Sequence, residues 1–524
     1  MADSNICSEK VHAHVRENVR DFVKSLSYLN FPIGEPSLLT MNELIEGCSP
    51  FPELVEEELL KLIFHQDELN ENLTIKYYAK KVLVHLRTCR LEKKWRSFLT
   101  LPASKKSLLE GALLVSQWGQ VEHEHNKSLS EIEEIIDNIS NKVRQLVDAK
   151  NSTGEACSDM DDQLTELKTV RIRLDCIKTV LYDEMGFTEM DKDDICNFNN
   201  VYVDKVLQTK KGHSLVLLVI YHEVAKRLGI LCLPVSMVLD HEVWIIMRHR
   251  TTNGTVDIYI CPLTGIASKG YPCTRVQLAV SESFPICVVP AKDVFMLLLK
   301  YLAPCGVPHN NPCASILNKE NRLHFVRLAC IITSETVRAI ESYAGWCNHF
   351  GYQLEQAMEL LKSHECFDHS HLIECIQKFG EQQAVIANRE IHGRLPWTKY
   401  AAGLVMIYNG EDDFLEETVY VNSDATDSAK YQHNACPPGG LCVIVSVQFN
   451  CQCCRGAHYR VLFDNGNLNS VSEENLKLHP EGAVINNPHI GIFFERFDGR
   501  RYIPNPELMA QFPEDDAFAK SLMG

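Results

Sequence analysis

The run Leu215–Tyr221 (LVLLVIY) constrains the fold more than any other stretch of this chain. Seven consecutive apolar residues suit no surface position, and they fall far short of the roughly 20 that a membrane-spanning helix needs. The run opens after Gly212-His213-Ser214, continues into a helical tail, His222–Leu228, and stops at Gly229. A glycine there suits the positive φ of a helix C-terminus. Short strand-like runs follow at Leu231–Val238, Val243–Met247 and Val256–Ile260. A buried helix feeding an antiparallel sheet is an α+β arrangement.

A chain of 524 residues is too long for one such core, and about two to four domains are expected. Hydrophobic residues make up 45% and charged residues 23%, the balance of folded rather than disordered protein. Residues 1–150 read as helical. The clearest stripe there is Leu129, Ile132, Ile135, Ile136, Ile139, Val143, Leu146 and Val147, with Ser130 and Glu133 at capping-box spacing. The polar stretch Lys150–Asp162 reads as a linker. The α+β segment spans residues 163–300. Residues 301–394 return to helical periodicity, and Gly345–Leu361 loosely resembles half of a tetratricopeptide repeat, with an ordinary helical hairpin as the plainer reading. Residues 395–524 are rich in valine and phenylalanine runs broken by Gly, Asn and Pro, and Asp464-Asn465-Gly466-Asn467 is a hairpin turn signal. They are expected to form a small β domain.

The net charge of −17 repels DNA and anionic membranes unless one face is locally basic. The β domain is no such face: Pro396–Gly524 holds 9 Lys+Arg against 17 Asp+Glu, a balance of −8. The start MADSNICSEK lacks a positive segment followed by an apolar one, so no signal peptide is expected. The 21 cysteines are scattered and odd in number, which fits free buried thiols in a reducing cytoplasm or nucleus.

Two places invite chemistry. A buried helix followed by a sheet carrying His and then Asp is how papain-like and transglutaminase-like enzymes build a triad. A Cys at the helix start attacks, the His takes its proton, and the Asp orients the His. Here the helix start offers Ser214, the His position offers His241, and the Asp position offers Cys261. A lone hydroxyl needs stronger activation than a thiol, and Cys261 lies on the wrong strand to replace Ser214. The expectation is therefore a structural His and no catalysis. The second place is Cys451, Cys453 and Cys454 with His458 nearby. Structural zinc takes two ligand pairs at set spacings, and a cysteine-rich hairpin fits these spacings better. No phosphate loop, dinucleotide fingerprint or paired-His motif is present, and no cofactor is expected.

Three blocks resemble the F-box proteins. The first is Leu73–Lys81 with Leu109-Glu110-Gly111-Ala112. The second is Val180–Asp183, Asn200-Val201-Tyr202 and Ala225–Gly229, similar to the transglutaminase-like "core 2" domain. The third is Tyr459–Phe463, Glu474-Asn475-Leu476 and Gly499–Leu508, similar to the YccV-like domain named for hemimethylated-DNA binding. The resemblance implies a transglutaminase-like core without catalysis and a small SH3-like β barrel at the C-terminus. It also implies a substrate receptor of a Skp1–cullin–F-box ubiquitin ligase, with client proteins held by the domains beyond the F-box. The match begins near Val11, where the F-box of the family should already have ended, so an F-box is not expected here. Other readings are an F-box-less adaptor for another ligase or protease, a DNA binder acting through the β domain, and a divergent thiol or serine hydrolase. On the adaptor reading, the groove around His241 and Trp244 is expected to contact the client, because aromatics anchor interfaces.

Overall fold

The computed structural model describes residues 2–31, 34, 36–47, 51–64, 72–152, 162–191, 194, 197–236, 243–251, 254–268, 287–302, 319–350, 353–363, 369–386, 391–394, 397–410, 439–448, 457–464 and 466–523. The chain divides into two compact units, Thr88–Ala339 and the pair Met1–Arg87 with Ile340–Gly524. The four segments expected from the sequence are thus shared between two units, one of them discontinuous.

In the unit Thr88–Ala339 the helix Ser214–Arg227 is the central element, and every residue from Leu215 to Tyr221 is buried. Val216, Val219, Ile220 and Val224 are β-branched and poor intrinsic helix formers, so burial on all sides holds this helix together. It ends as the sequence predicts. Gly229 takes φ +76°, the Gly229 N–H donates to the Lys226 carbonyl at 3.0 Å, and the Ile230 N–H reaches back to the Ala225 carbonyl at 2.9 Å. This pair of bonds closes a Schellman turn. The helices Leu108–Gly119 and Leu129–Ser152 pack beside it. Ile132, Ile136, Ile139, Val143 and Val147 are the buried stripe of the second. Its capping box is Ser128 with Glu131, not Ser130 with Glu133: the Glu131 N–H donates to Ser128 Oγ at 3.3 Å and the Ser128 N–H to Glu131 Oε2 at 2.7 Å. The helix begins at Leu129, so the same spacing applies two residues earlier.

The sheet of this unit comprises β1 (Cys232–Ser236), β2 (Val243–Thr251), β3 (Gly254–Ile260), β4 (Ala267–Ser268) and β5 (Cys287–Val288). All pairings are antiparallel, in the order β4-β3-β2-β1-β5. The helix Ser214–Arg227 lies on β1 and β2. Away from the sheet, Trp118 and His324 bind each other twice. Trp118 Nε1 donates to the His324 carbonyl at 2.9 Å, and His324 Nε2 donates to the Trp118 carbonyl at 2.8 Å, with the rings stacked at 4.7 Å.

The other unit carries β6 (Val405–Tyr408), β7 (Leu441–Gln448), β8 (His458–Phe463), β9 (Leu468–Ser472) and β10 (Leu476–Leu478). They form an antiparallel sheet of order β9-β8-β7-β6-β10, in which the last strand returns to pair with the first. The expected hairpin turn joins β8 to β9: the Phe463 N–H donates to the Asn467 carbonyl at 2.8 Å, and Gly466 has φ +92°. Alternate side chains point to opposite faces of a strand, and both faces are buried. Met406, Tyr408, Ile444, Val461, Val471 and Leu476 share one apolar cluster. Val405, Val443, Val445 and Leu462 pack on the opposite face with Phe31, Ile492, Phe494 and Tyr502.

The segment Gly499–Leu508 closes this second face. It holds β12 (Tyr502–Pro504), which forms a hairpin with the preceding β11 (Phe494–Phe497), and the start of the helix Pro506–Gln511. Tyr502 Oη accepts the Ile485 N–H at 2.7 Å. Fully buried Asn505 caps the helix through the Leu508 N–H and donates to the Ile492 carbonyl at 2.8 Å. Gly403, at φ +89°, lies so close to this hairpin that a Cβ there would fall 2.1 Å from the Tyr502 carbonyl oxygen. The helices Ala2–Asn30, Pro52–Phe64 and Leu73–Thr100 supply a further apolar cluster of the unit, centred on Val19, Leu26, Leu59 and Val82.

Candidate transglutaminase-like site

Ser214 is the first residue of the buried helix, where a nucleophile would stand. The residue that controls this position is its neighbour, His213, the N-cap. His213 is buried, and its Nδ1 accepts the Leu215 N–H at 3.2 Å. Its ring centroid lies 3.9 Å from that of Tyr301, and the His213 backbone N–H donates to the Asn200 carbonyl at 2.8 Å. Burial pushes the imidazole down to about 4, so it is neutral at physiological pH. A neutral imidazole has one acceptor nitrogen, and here the helix end occupies it. His213 therefore has no lone pair with which to take a proton from Ser214.

Cys261 follows β3 and is half-buried with a free thiol. The register pairs Ile245 with Ile260, which places Cys261 beside the start of β2. It begins a tight turn in which its N–H donates to the Ile266 carbonyl at 3.1 Å and its carbonyl accepts the Gly265 N–H at 2.8 Å. Tyr182 clamps that turn: its hydroxyl donates to the Pro262 carbonyl at 2.7 Å, and a Cβ on Gly265 would lie 2.6 Å from its ring. Burial raises the Tyr182 phenol far above its ordinary value, so it stays a neutral donor. Among the described residues, Ser214 Oγ and Cys261 Sγ form no hydrogen bond with each other or with a histidine. His241 lies outside the described residues. Trp244 is placed by its backbone alone, opposite Val235 of β1.

Sequence reasoning assigns no role at this site to His213, Tyr301 or Tyr182, although His213 and Tyr182 fall within stretches it singles out. A polar residue immediately before a buried helix was a signal for His213. Tyr301 and Tyr182 reach the site from separate helices, and nothing local in the sequence shows what they touch. It also passed over Glu223, a carboxylate almost fully buried on the central helix. Arg227 Nη1 stands 2.8 Å from its Oε2 and Lys226 Nζ 3.5 Å from its Oε1. Burial alone would raise this carboxyl, but His222, Lys226 and Arg227 outweigh burial and hold it at about 2.

Of the cysteine cluster, Cys451, Cys453 and Cys454 lie outside the described residues. His458 opens β8 between Gln448 and Ser472 and is buried, and its Nδ1 has no hydrogen-bond partner among the described residues. Among the described residues no three His, Cys, Asp or Glu side chains are grouped to hold a metal ion. Nor is any described helix long and apolar enough to cross a membrane.

Residues 130–269 match the transglutaminase-like superfamily, a span that contains Ser214, His241, Trp244 and Cys261. The protein carries a transglutaminase-like domain. Along most of its length it is also similar to F-box only protein 21. The Pongo abelii protein of that name is 23% identical over 504 residues, covering 91% of this chain and 76% of the relative. The Homo sapiens and Mus musculus proteins are each 23% identical over 511 residues, with the same coverage. No solved structure matches.

Proposed function

We propose that this chain is a substrate-recognition adaptor of a Skp1–cullin–F-box type ubiquitin ligase, one that holds client proteins and does no covalent chemistry itself. The observation that carries the reading is the similarity to F-box only protein 21 over 91% of the chain. Two features of the transglutaminase-like domain support the absence of catalysis. The nucleophile position is a serine, and the acceptor nitrogen of the histidine beside it is spent on the helix end. On this reading the old active-site groove, with His241 and Trp244, contacts the client, and no cofactor is needed. The protein works inside the cell, in cytoplasm or nucleus.

The β domain is read as a small SH3-like barrel of the YccV type. Its five strands contribute to one cluster, and the last pairs with the first. Its balance of −8 favours a protein partner over duplex DNA. The linear parts are a helical region (1–150), a degenerate transglutaminase-like core (163–300), a helical connector (301–394) and this barrel (395–524).

The test is purification of the tagged chain from cells with quantitative detection of Skp1 and cullin. Near-stoichiometric Skp1 with cullin is the expected result, with residues 1–150 holding Skp1 in place of an F-box. Clients captured without either protein would withdraw the ligase assignment and leave an adaptor that serves another machine.

A further inference from the structure

In the unit that carries β6–β10, the stretch 397–400 is fixed from two sides. Arg394 donates to the Tyr400 carbonyl from Nη1 at 3.2 Å and to the Thr398 carbonyl from Nη2 at 2.7 Å. Its guanidinium is itself locked, 3.1 Å from Asp515 Oδ1 and 3.3 Å from the centre of the Phe518 ring. On the other side, Glu473 Oε2 accepts the Lys399 N–H at 3.2 Å and the Tyr459 hydroxyl at 2.8 Å, and that hydroxyl accepts the Tyr400 N–H at 3.1 Å.

The Trp397 side chain takes no part in this bracing. Trp397 is 67% exposed, whereas Trp95 and Trp118 are fully buried. An indole is a large apolar surface to leave in water, and one carried on an ordered backbone loses little further freedom when a partner covers it. The charge left over around it has one sign. Lys399 is paired with Glu473 at 3.0 Å and Arg394 with Asp515. Glu474 and Glu514 are exposed, and neither has a cationic partner among the described residues. Both stand beside the braced stretch: Glu474 follows Glu473, and Glu514 Oε2 accepts the Arg394 backbone N–H at 3.1 Å.

We propose that Trp397, flanked by the carboxylates of Glu474 and Glu514, is a docking surface for a basic segment of a partner protein, one that presents arginine or lysine. The indole is the aromatic face that attracts a cation best. The two carboxylates supply the complementary charge, and the net charge of −17 draws basic segments towards the chain. The surface is independent of the ligase assignment and stands or falls separately.

The test is calorimetric titration of the full chain with a short alternating Arg–Gly peptide at physiological ionic strength, with the matching Glu–Gly peptide as control. Saturable binding of the Arg–Gly peptide alone is expected, weakened about tenfold or more in Trp397→Ala. Glu474→Gln/Glu514→Gln should weaken it severalfold and reduce its sensitivity to salt. Trp397 is exposed and outside the bracing network, and glutamine keeps the acceptor that holds the Arg394 N–H, so these variants keep the fold. No saturable binding of the Arg–Gly peptide, equal binding of the Glu–Gly peptide, or affinity unchanged in either variant overturns the proposal.

Discussion

Glu223→Gln removes a charge from the centre of the transglutaminase-like domain while keeping its shape. A carboxyl held at about 2 rather than at its ordinary 4.5 contributes about 3 kcal/mol of stability at neutral pH by linkage. Residual screening by solvent trims this to about 2 kcal/mol. The folded-state value is depressed, so the contribution is fully present above pH 4.5 and is lost as pH falls towards 2. Glutamine cannot be ionised, and it leaves the Arg227 guanidinium with only Asp137 as a charged partner. Hydrogen exchange of the helix Ser214–Arg227 in the full chain, followed by mass spectrometry, reads the local effect. At pH 7 the variant should lose protection worth about 2 kcal/mol, a roughly thirtyfold faster exchange. Protection within about 0.5 kcal/mol of the parent would refute the claim that this ion cluster holds the helix.

Tyr221 and Tyr182 make a paired test. Tyr221 Oη is buried without a partner among the described residues, so Tyr221→Phe should be neutral or stabilising by up to about 1 kcal/mol, whereas Tyr182→Phe loses its bond to Pro262 and should cost about 1 kcal/mol in chemical denaturation. Burial holds His213 and His324 each at about 4, below the ordinary 6.5. The unfolded chain then binds more protons, so stability should fall as pH drops from 6.5 to 4, and His213→Asn, which can still cap the helix, should flatten part of that slope. Gly403→Ala should destabilise the β unit by about 3 kcal/mol or more. Gly439→Ala, at the same φ of +89° but with open space around it, should cost only about 1 kcal/mol, measured by thermal unfolding.

What was legible in the sequence is what local chemistry decides. The unbroken run Leu215–Tyr221 required a buried helix, and Gly229 stopped it. The Asp464–Asn467 turn required a hairpin. The capping box was read two residues late because Ser128 and Ser130 both precede a Glu at the right spacing, and only the true first turn distinguishes them. The resemblance of the tail Gly499–Leu508 to the YccV-like pattern carries no physical reason in the sequence alone. In the structure Arg501, Tyr502 and Asn505 of this tail each fix buried backbone or charge. Long-range pairings left no trace in the sequence: Tyr182 meets Pro262 across 80 residues, and Met1–Arg87 joins Ile340–Gly524 in one unit. For the candidate site, Ser214 stands at the helix start, as the sequence suggests, and the His213–Leu215 bond, which residue types do not reveal, engages the acceptor nitrogen of the histidine next to it.

The most direct test is a reconstituted ubiquitination reaction containing this chain, Skp1, cullin, the upstream enzymes and a client captured from cells. The parent chain should be required for client ubiquitination, and the Ser214→Ala/Cys261→Ala variant should support it equally well. Loss of ubiquitination in that variant, with client binding intact, would contradict a non-catalytic adaptor.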